Sequence, residues 1–273
     1  SKIFNRMGLL PLWNEYLPRP AEKINNIEDK QGEPWVYYPS CLTRVFSSRD
    51  GKSNLVNTLN TIATSTGRSL IIPKGINNTC CSQVFSSKGY DEAANNIQEK
   101  TIHLIWESSN NGVLPVLVDT SPCTYQFLHP TPGLSKAALK KLDQLKFVDI
   151  IQFLSQCISD KDYPTLNNEI VLHPTCSTEK MGDRKQMVAL AEKCAEEVIM
   201  PAHWGCCGFA GDRGLIVPEL NQTAMIYEAN DVQGQKTGYS TSRTCEVGMM
   251  SNTKLNYSSI AYLVKDYLDQ EAN

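Results

Sequence analysis

EVIMPAHWGCCGFAGDRG, residues 197–214, is the stretch on which the reading of this chain turns. An apolar run ends at Pro201, a short loop follows, and two adjacent cysteines, Cys206 and Cys207, stand between Gly205 and Gly208. Neighbouring side chains of an extended segment point to opposite sides, so a turn is needed to aim both thiols inward. Glycine on each side supplies that freedom. The continuation 208–214 is Gly-rich but lacks the glycine spacing and the Lys of a phosphate-binding loop. It reads as the loop that shapes the cysteine turn.

Working outward, the same arrangement occurs earlier in the chain. SLIIPKGINNTCCSQ (69–83) is again a strand, a Pro, a loop and a pair, Cys80 and Cys81. Upstream of each pair, PWVYYPSCLTR (34–44) matches EIVLHPTCSTEK (169–180), with Cys41 and Cys176. Downstream, VLVDTSPCTYQ (116–126) matches GYSTSRTCEVG (238–248), with Cys123 and Cys245. Each half closes with an amphipathic helix, FVDIIQFLSQCI and YSSIAYLVKDYLD. An internal repeat of this kind divides the chain into 1–33, a linker, 34–163, a first repeat, and 164–273, a second. Between the blocks, helices are expected over 54–66, capped from Asp50-Gly51-Lys52-Ser53, and over 92–100, 179–197 and 219–230. Strands alternating with helices predict an α/β fold of two pseudo-repeated halves with mainly parallel sheets. The cysteine blocks then lie in loops at strand carboxyl ends, where such sheets build their sites.

The chain has 273 residues and ten cysteines, long enough to bury a core without disulfide staples. Its formal charge of -3 does not favour nucleic acid as a partner. No apolar run is long enough for a membrane span; 113–118 is strand-sized and contains Pro115. The first twenty residues do not read as a signal peptide. The chain begins at Ser1 without an initiator Met, as a piece of a longer polypeptide would. A cytoplasmic location is expected, with peripheral contact at the inner face of a bacterial membrane.

Eight cysteines therefore fall into two ordered sets: Cys41, Cys80, Cys81 and Cys123, then Cys176, Cys206, Cys207 and Cys245. Four thiolates from three loops suit an iron-sulfur cluster, a tetrahedral zinc or Cu(I). A disulfide is the oxidised, metal-free alternative. Ser82 stands where the second half has Gly208, so the first pair is expected to be set differently. Cys157 and Cys194 lie on apolar helical stripes and read as buried packing residues. His173 and His203 each precede a cysteine by three residues and are candidates for an extra ligand or a donor to sulfur. Arg44, Arg213 and Arg243 lie near the blocks and can offset negative charge. No Ser-His-Asp, His-Glu-x-x-His or paired-carboxylate pattern supports hydrolytic chemistry.

These blocks resemble the duplicated cysteine-rich CCG domain of the heterodisulfide reductases, of the iron-sulfur subunits of glycolate oxidase and anaerobic glycerol-3-phosphate dehydrogenase, and of lactate-utilisation proteins. INNTCCSQVFSSKGY, HPTCSTEKMG and GCCGFAGDRG are most similar to the large bacterial FAD-linked D-lactate dehydrogenases, and the opening NRMGLLPLWNEYLPRP is similar to the linker after their ferredoxin-like part. The resemblance covers nearly the whole chain and is more specific in the second half. It implies an iron-sulfur electron-transfer domain, with one or two 4Fe-4S clusters on the eight cysteines and zinc as an option in one half. FAD and a ferredoxin-like domain would lie on other parts of the parent polypeptide, and a quinone or cytochrome would accept the electrons. Zinc- or disulfide-stabilised docking and thiol-disulfide reduction remain the alternative functions. The family pattern closes each half with Cys-x-x-Cys. Thr120 and Ser242 replace the first of those cysteines here, leaving four thiols per set.

Overall fold

Trp35, Val36, Tyr37 and Tyr38 form a continuously buried run, as expected of a strand covered on both faces of a parallel sheet. The computed structural model describes residues 14–24, 31–48 and 52–272. The first half runs β1 (Glu33–Tyr38), α1 (Cys41–Val45), α2 (Leu55–Ser65), β2 (Arg68–Ile71), α3 (Gln83–Ser86), α4 (Asp91–Ser108), β3 (Val116–Val118), α5 (Ser121–Leu128), α6 (Lys136–Leu142), β4 (Phe147–Asp149) and α7 (Ile150–Cys157). The second runs β5 (Leu166–Leu172), α8 (Cys176–Met181), α9 (Arg184–Cys194), β6 (Ala195–Ile199), α10 (Pro218–Asp231), β7 (Thr237–Ser240), α11 (Arg243–Thr253), β8 (Asn256–Ser259) and α12 (Ile260–Leu268). Each half is a four-stranded sheet, ordered β2-β1-β3-β4 and β6-β5-β7-β8. Every strand pair is parallel. The α/β fold in two halves is therefore as expected. Most of the expected linker, 1–13 and 25–30, lies outside the described residues, as do Asp50 and Gly51.

Several elements differ from the sequence expectation. The helix over 179–197 is interrupted: Gly182 takes a left-handed conformation that ends α8, α9 restarts at Arg184, and residue 195 already belongs to β6. A glycine at this position releases the chain from the helix at little steric cost. The closing helices are shorter than expected, because FVD and YSS are strands β4 and β8. Asp149 and Ser259 then cap α7 and α12, accepting the N–H of Ile151 and Ala261. Asn54, which accepts from Asn57 N–H, caps α2 in place of the preceding turn. Finally, α4 is longer than expected, because amphipathic burial continues through Ile102 and Ile105.

The halves join by exchanging their closing helices. α12 packs against α2, and α7 packs against α9. This explains why both closing helices are so apolar: α7 buries Ile150, Ile151, Phe153, Leu154 and Cys157, and α12 buries seven side chains. One hydrophobic core runs through both halves, and a smaller one underlies the second cysteine pair. Across the join, Tyr262 Oη donates to Ser53 O at 2.9 Å and Ser121 N–H to Thr241 O at 3.3 Å. No helix among the described residues is long and apolar enough to cross a membrane.

Asp149 ties β4 to α5: it is fully buried and accepts from Thr124 Oγ1 at 2.7 Å, Ser121 Oγ at 3.1 Å and Ile151 N–H. Burial pushes its carboxyl up to about 6, against the pull of those three donors. A carboxyl raised in the folded state stabilises the fold at pH below its unfolded value, and that contribution is lost as pH rises through 6. The loss amounts to about 3 kcal/mol. Relative to wild type, Asp149→Asn should therefore gain stability between pH 4 and pH 7. Urea unfolding at both pH values checks this, and parallel profiles would contradict it.

Candidate metal or cluster site

The strand order puts the cysteines together. β1 lies between β2 and β3, and β5 lies between β6 and β7. The chain crosses from the central strand to one neighbour and then back past it to the other, so the winding direction changes there and a crevice opens at the carboxyl ends. Cys41, the Cys80–Cys81 pair and Cys123 follow the ends of β1, β2 and β3. Cys176, Cys206–Cys207 and Cys245 follow β5, β6 and β7. Only the pairs lie in loops. Each lone cysteine sits in the first turn of a helix, α1, α5, α8 or α11, because Ser40 and Thr175 cap α1 and α8 directly ahead of Cys41 and Cys176.

The thiols of each half form a row. Cys41 neighbours Cys80, and Cys80 neighbours Cys81; Cys81 Sγ stands 3.1 Å from Cys123 Sγ. The second row repeats the order: Cys176 to Cys206, Cys206 to Cys207, and Cys207 to Cys245. All ten cysteines are free. Cys157 and Cys194 are buried, outside the rows. Two thiolates on one tetrahedral metal stand about 3.8 Å apart, so taking up such a group would move Cys81 and Cys123 apart. Among the described residues, no three His, Cys, Asp or Glu side chains are arranged around a single metal ion.

Within each row one thiol is the acidic member. Hydrogen bonds from Cys41, Cys81 and the Ser82 N–H bring Cys80 down to about 3, with Arg44 adding attraction and burial opposing. The same pattern, from Cys176, Cys207 and the Gly208 N–H, brings Cys206 down to about 2. Their partners shift upward: Cys41 and Cys176 by donating to them and by burial, Cys81 by its bonds to Cys123 and Cys80 and by burial, and Cys207 by its bonds to Cys206 and Cys245 and by burial.

Backbone geometry makes the two pairs equivalent. Ser82 and Gly208 are both left-handed, with φ of 82° and 70°. Each donates its N–H to the first sulfur of its pair at 3.4 Å. Ser82 therefore does not set the first pair differently, contrary to the sequence expectation. The supports around the rows differ instead. Arg44 donates to Thr79 O at 2.7 Å, holding α1 to the first pair's loop, and Thr101 Oγ1 clasps Cys80 N and O. In the second half Trp204 Nε1 donates to Pro174 O at 2.9 Å and Asn221 Nδ2 to Cys207 O at 2.6 Å. Asp119 accepts from Ser40 N–H and Tyr37 Oη, locking the end of β3 to the end of β1. Thr101, Asp119, Trp204 and Asn221 carry no pattern of their own in the sequence.

The remaining candidates separate clearly. His173 is fully buried, with Nδ1 2.6 Å from Glu228 Oε1. His203 turns to the surface and pairs with Asp231. Arg213 is exposed, whereas Arg243 is buried against Glu246 at 2.7 Å. The first row is the more enclosed: Cys81 and Cys123 are buried, while Cys176 and Cys206 are exposed.

The left-handed positions generate a paired prediction for metal-free protein. Ser82→Gly relieves a strained conformation and a buried, unpartnered hydroxyl, and should stabilise by about 1 kcal/mol. Gly208→Ser should destabilise by about 2 kcal/mol or more, because a Cβ there meets Ala224 Cβ at 2.6 Å and Leu220 O at 2.7 Å. Thermal unfolding of both variants checks the opposite signs.

No curated protein matches the chain. Among solved structures it is similar to Picrophilus torridus aspartate racemase, at 9% identity and TM-score 0.34, covering 88% of this chain and 94% of that one. It is also similar to an aspartate racemase homologue from Pyrococcus horikoshii OT3, at 10% identity and TM-score 0.30, covering 88% and 99%. The family match falls on the first half, although the motifs of the other half read as the more specific: residues 35–128, which hold the whole first thiol row, match the model of the CCG cysteine-rich domain.

Proposed function

We propose that this chain is the iron-sulfur electron-transfer part of a larger FAD-linked D-lactate or related 2-hydroxy-acid dehydrogenase. A CCG cysteine-rich domain is consistent with an iron-sulfur or redox role. The single observation that carries the reading is the matched pair of thiol rows, built from the same strand ends in the same order.

The residues fit such a group. Four soft sulfur donors per half meet the ligand count of a 4Fe-4S cluster. Each row already contains one thiol whose ionised form is favoured, and thiolate is the ligating form. The N–H groups of Ser82 and Gly208 point at sulfur, and Arg44 lies beside the first row. A bound cluster supplies one-electron transfer at this point. The chain's own residues hold it, offset its charge and, in the first half, enclose it. FAD and ferredoxin-like domains of the parent polypeptide would deliver electrons, and a quinone or cytochrome would take them at the inner face of the bacterial membrane. Substrate oxidation would belong to the flavin part.

Anaerobic purification followed by reconstitution should yield bound iron and sulfide in comparable amounts, with a paramagnetic signal on reduction. Cys80→Ser and Cys206→Ser should each remove the contribution of one row. Stoichiometric zinc without iron or sulfide would overturn the reading in favour of a structural metal scaffold.

A further inference from the structure

Tyr38 and His173 occupy the same place in the two halves. Tyr38 ends β1 and His173 directly follows β5. Each stands three residues before the cysteine that opens the next helix. Both side chains are buried to 0% exposure, and each buries one polar atom without a partner: Tyr38 Oη and His173 Nε2. Glu228 fixes the histidine ring through the opposite nitrogen. An unpartnered polar atom in the interior costs about 1–3 kcal/mol. Its occurrence at equivalent positions beside two equivalent thiol rows points to a partner that the polypeptide does not supply. Ser82 Oγ, next to the first pair, is a third such atom.

Tyr38 lies at the strand end from which the first thiol row starts. Its ring packs edge-on against Phe127 of α5, the helix that carries Cys123, at 5.3 Å. Burial raises its phenol well above the usual value, and the neighbouring Cys81, Cys123 and Cys80 raise it further, with Arg44 opposing. A phenol carries its proton at neutral pH and is a hydrogen-bond donor.

We propose that Tyr38 Oη donates a hydrogen bond to a sulfur of the group held by Cys41, Cys80, Cys81 and Cys123, and so raises the reduction potential of that group. The inference rests on the iron-sulfur reading above. A donor to sulfur stabilises the more negative, reduced state, so its removal lowers the potential. Tyr38 is here a positioning and tuning residue and enters no bond to the metal.

Tyr38→Phe in the full chain tests this in two measurements. In metal-free protein the unfolding midpoint should be unchanged or higher, since the lost hydroxyl had no partner. A lower midpoint would show a partner within the protein and overturn the proposal. In reconstituted protein, iron and sulfide content should be unchanged. For the signal that Cys80→Ser abolishes, the reduced-to-oxidised ratio at a fixed applied potential should fall about tenfold. Bound cluster with an unshifted potential would overturn this inference alone. Wild-type protein that takes up no iron and sulfide would overturn the iron-sulfur reading and this inference with it.

Discussion

Parallel pairing of one central strand to neighbours on both sides is the constraint on which the rest of this structure depends. β1 bonds to β2 and to β3, and β5 to β6 and to β7. Parallel strands place all carboxyl ends at the same edge, and the change of winding direction opens that edge. Three segments that are far apart in sequence therefore deliver four thiols to one place. Asp119 reinforces the arrangement by tying the end of β3 to the backbone just ahead of Cys41. In the second half, where Thr241 stands at the matching position, the hydroxyls of Thr175, Thr178 and Thr241 make the corresponding contacts.

Duplication solves a second problem. A helix that is apolar over most of its surface needs cover on more than one side. Each half lends its closing helix to the other, so α7 and α12 are apolar over most of their surface. The exchange also brings the cysteine-bearing helices together, α5 against α8 and α1 against α11. The halves then diverge where the join does not constrain them. The first row is enclosed and clasped by Arg44 and Thr101, while the second leaves Cys176 and Cys206 open to solvent.

Much of this was legible because repeated residues carry more information than single ones. The order lone Cys, Cys-Cys, lone Cys, each behind an apolar run, marked both the strands and the two thiol rows. Other features were hidden for physical reasons. Gly182 splits what reads as one amphipathic helix, since periodicity continues past a single left-handed residue. FVD and YSS read as helix because their apolar neighbours do, yet they complete the sheets. Ser82 reads as a departure from Gly208, although both adopt the same left-handed conformation.

The sequence by itself determined the α/β class, the two halves and the identity and grouping of the eight thiols, because local apolar runs and cysteine order are properties of the chain alone. Only the tertiary structure decided that Tyr38 and His173 each bury an unpartnered polar atom. It also decided that His203 belongs to the surface and that the first row is the enclosed one. Burial and hydrogen-bond satisfaction arise from how distant segments pack, and no spacing within one segment encodes them.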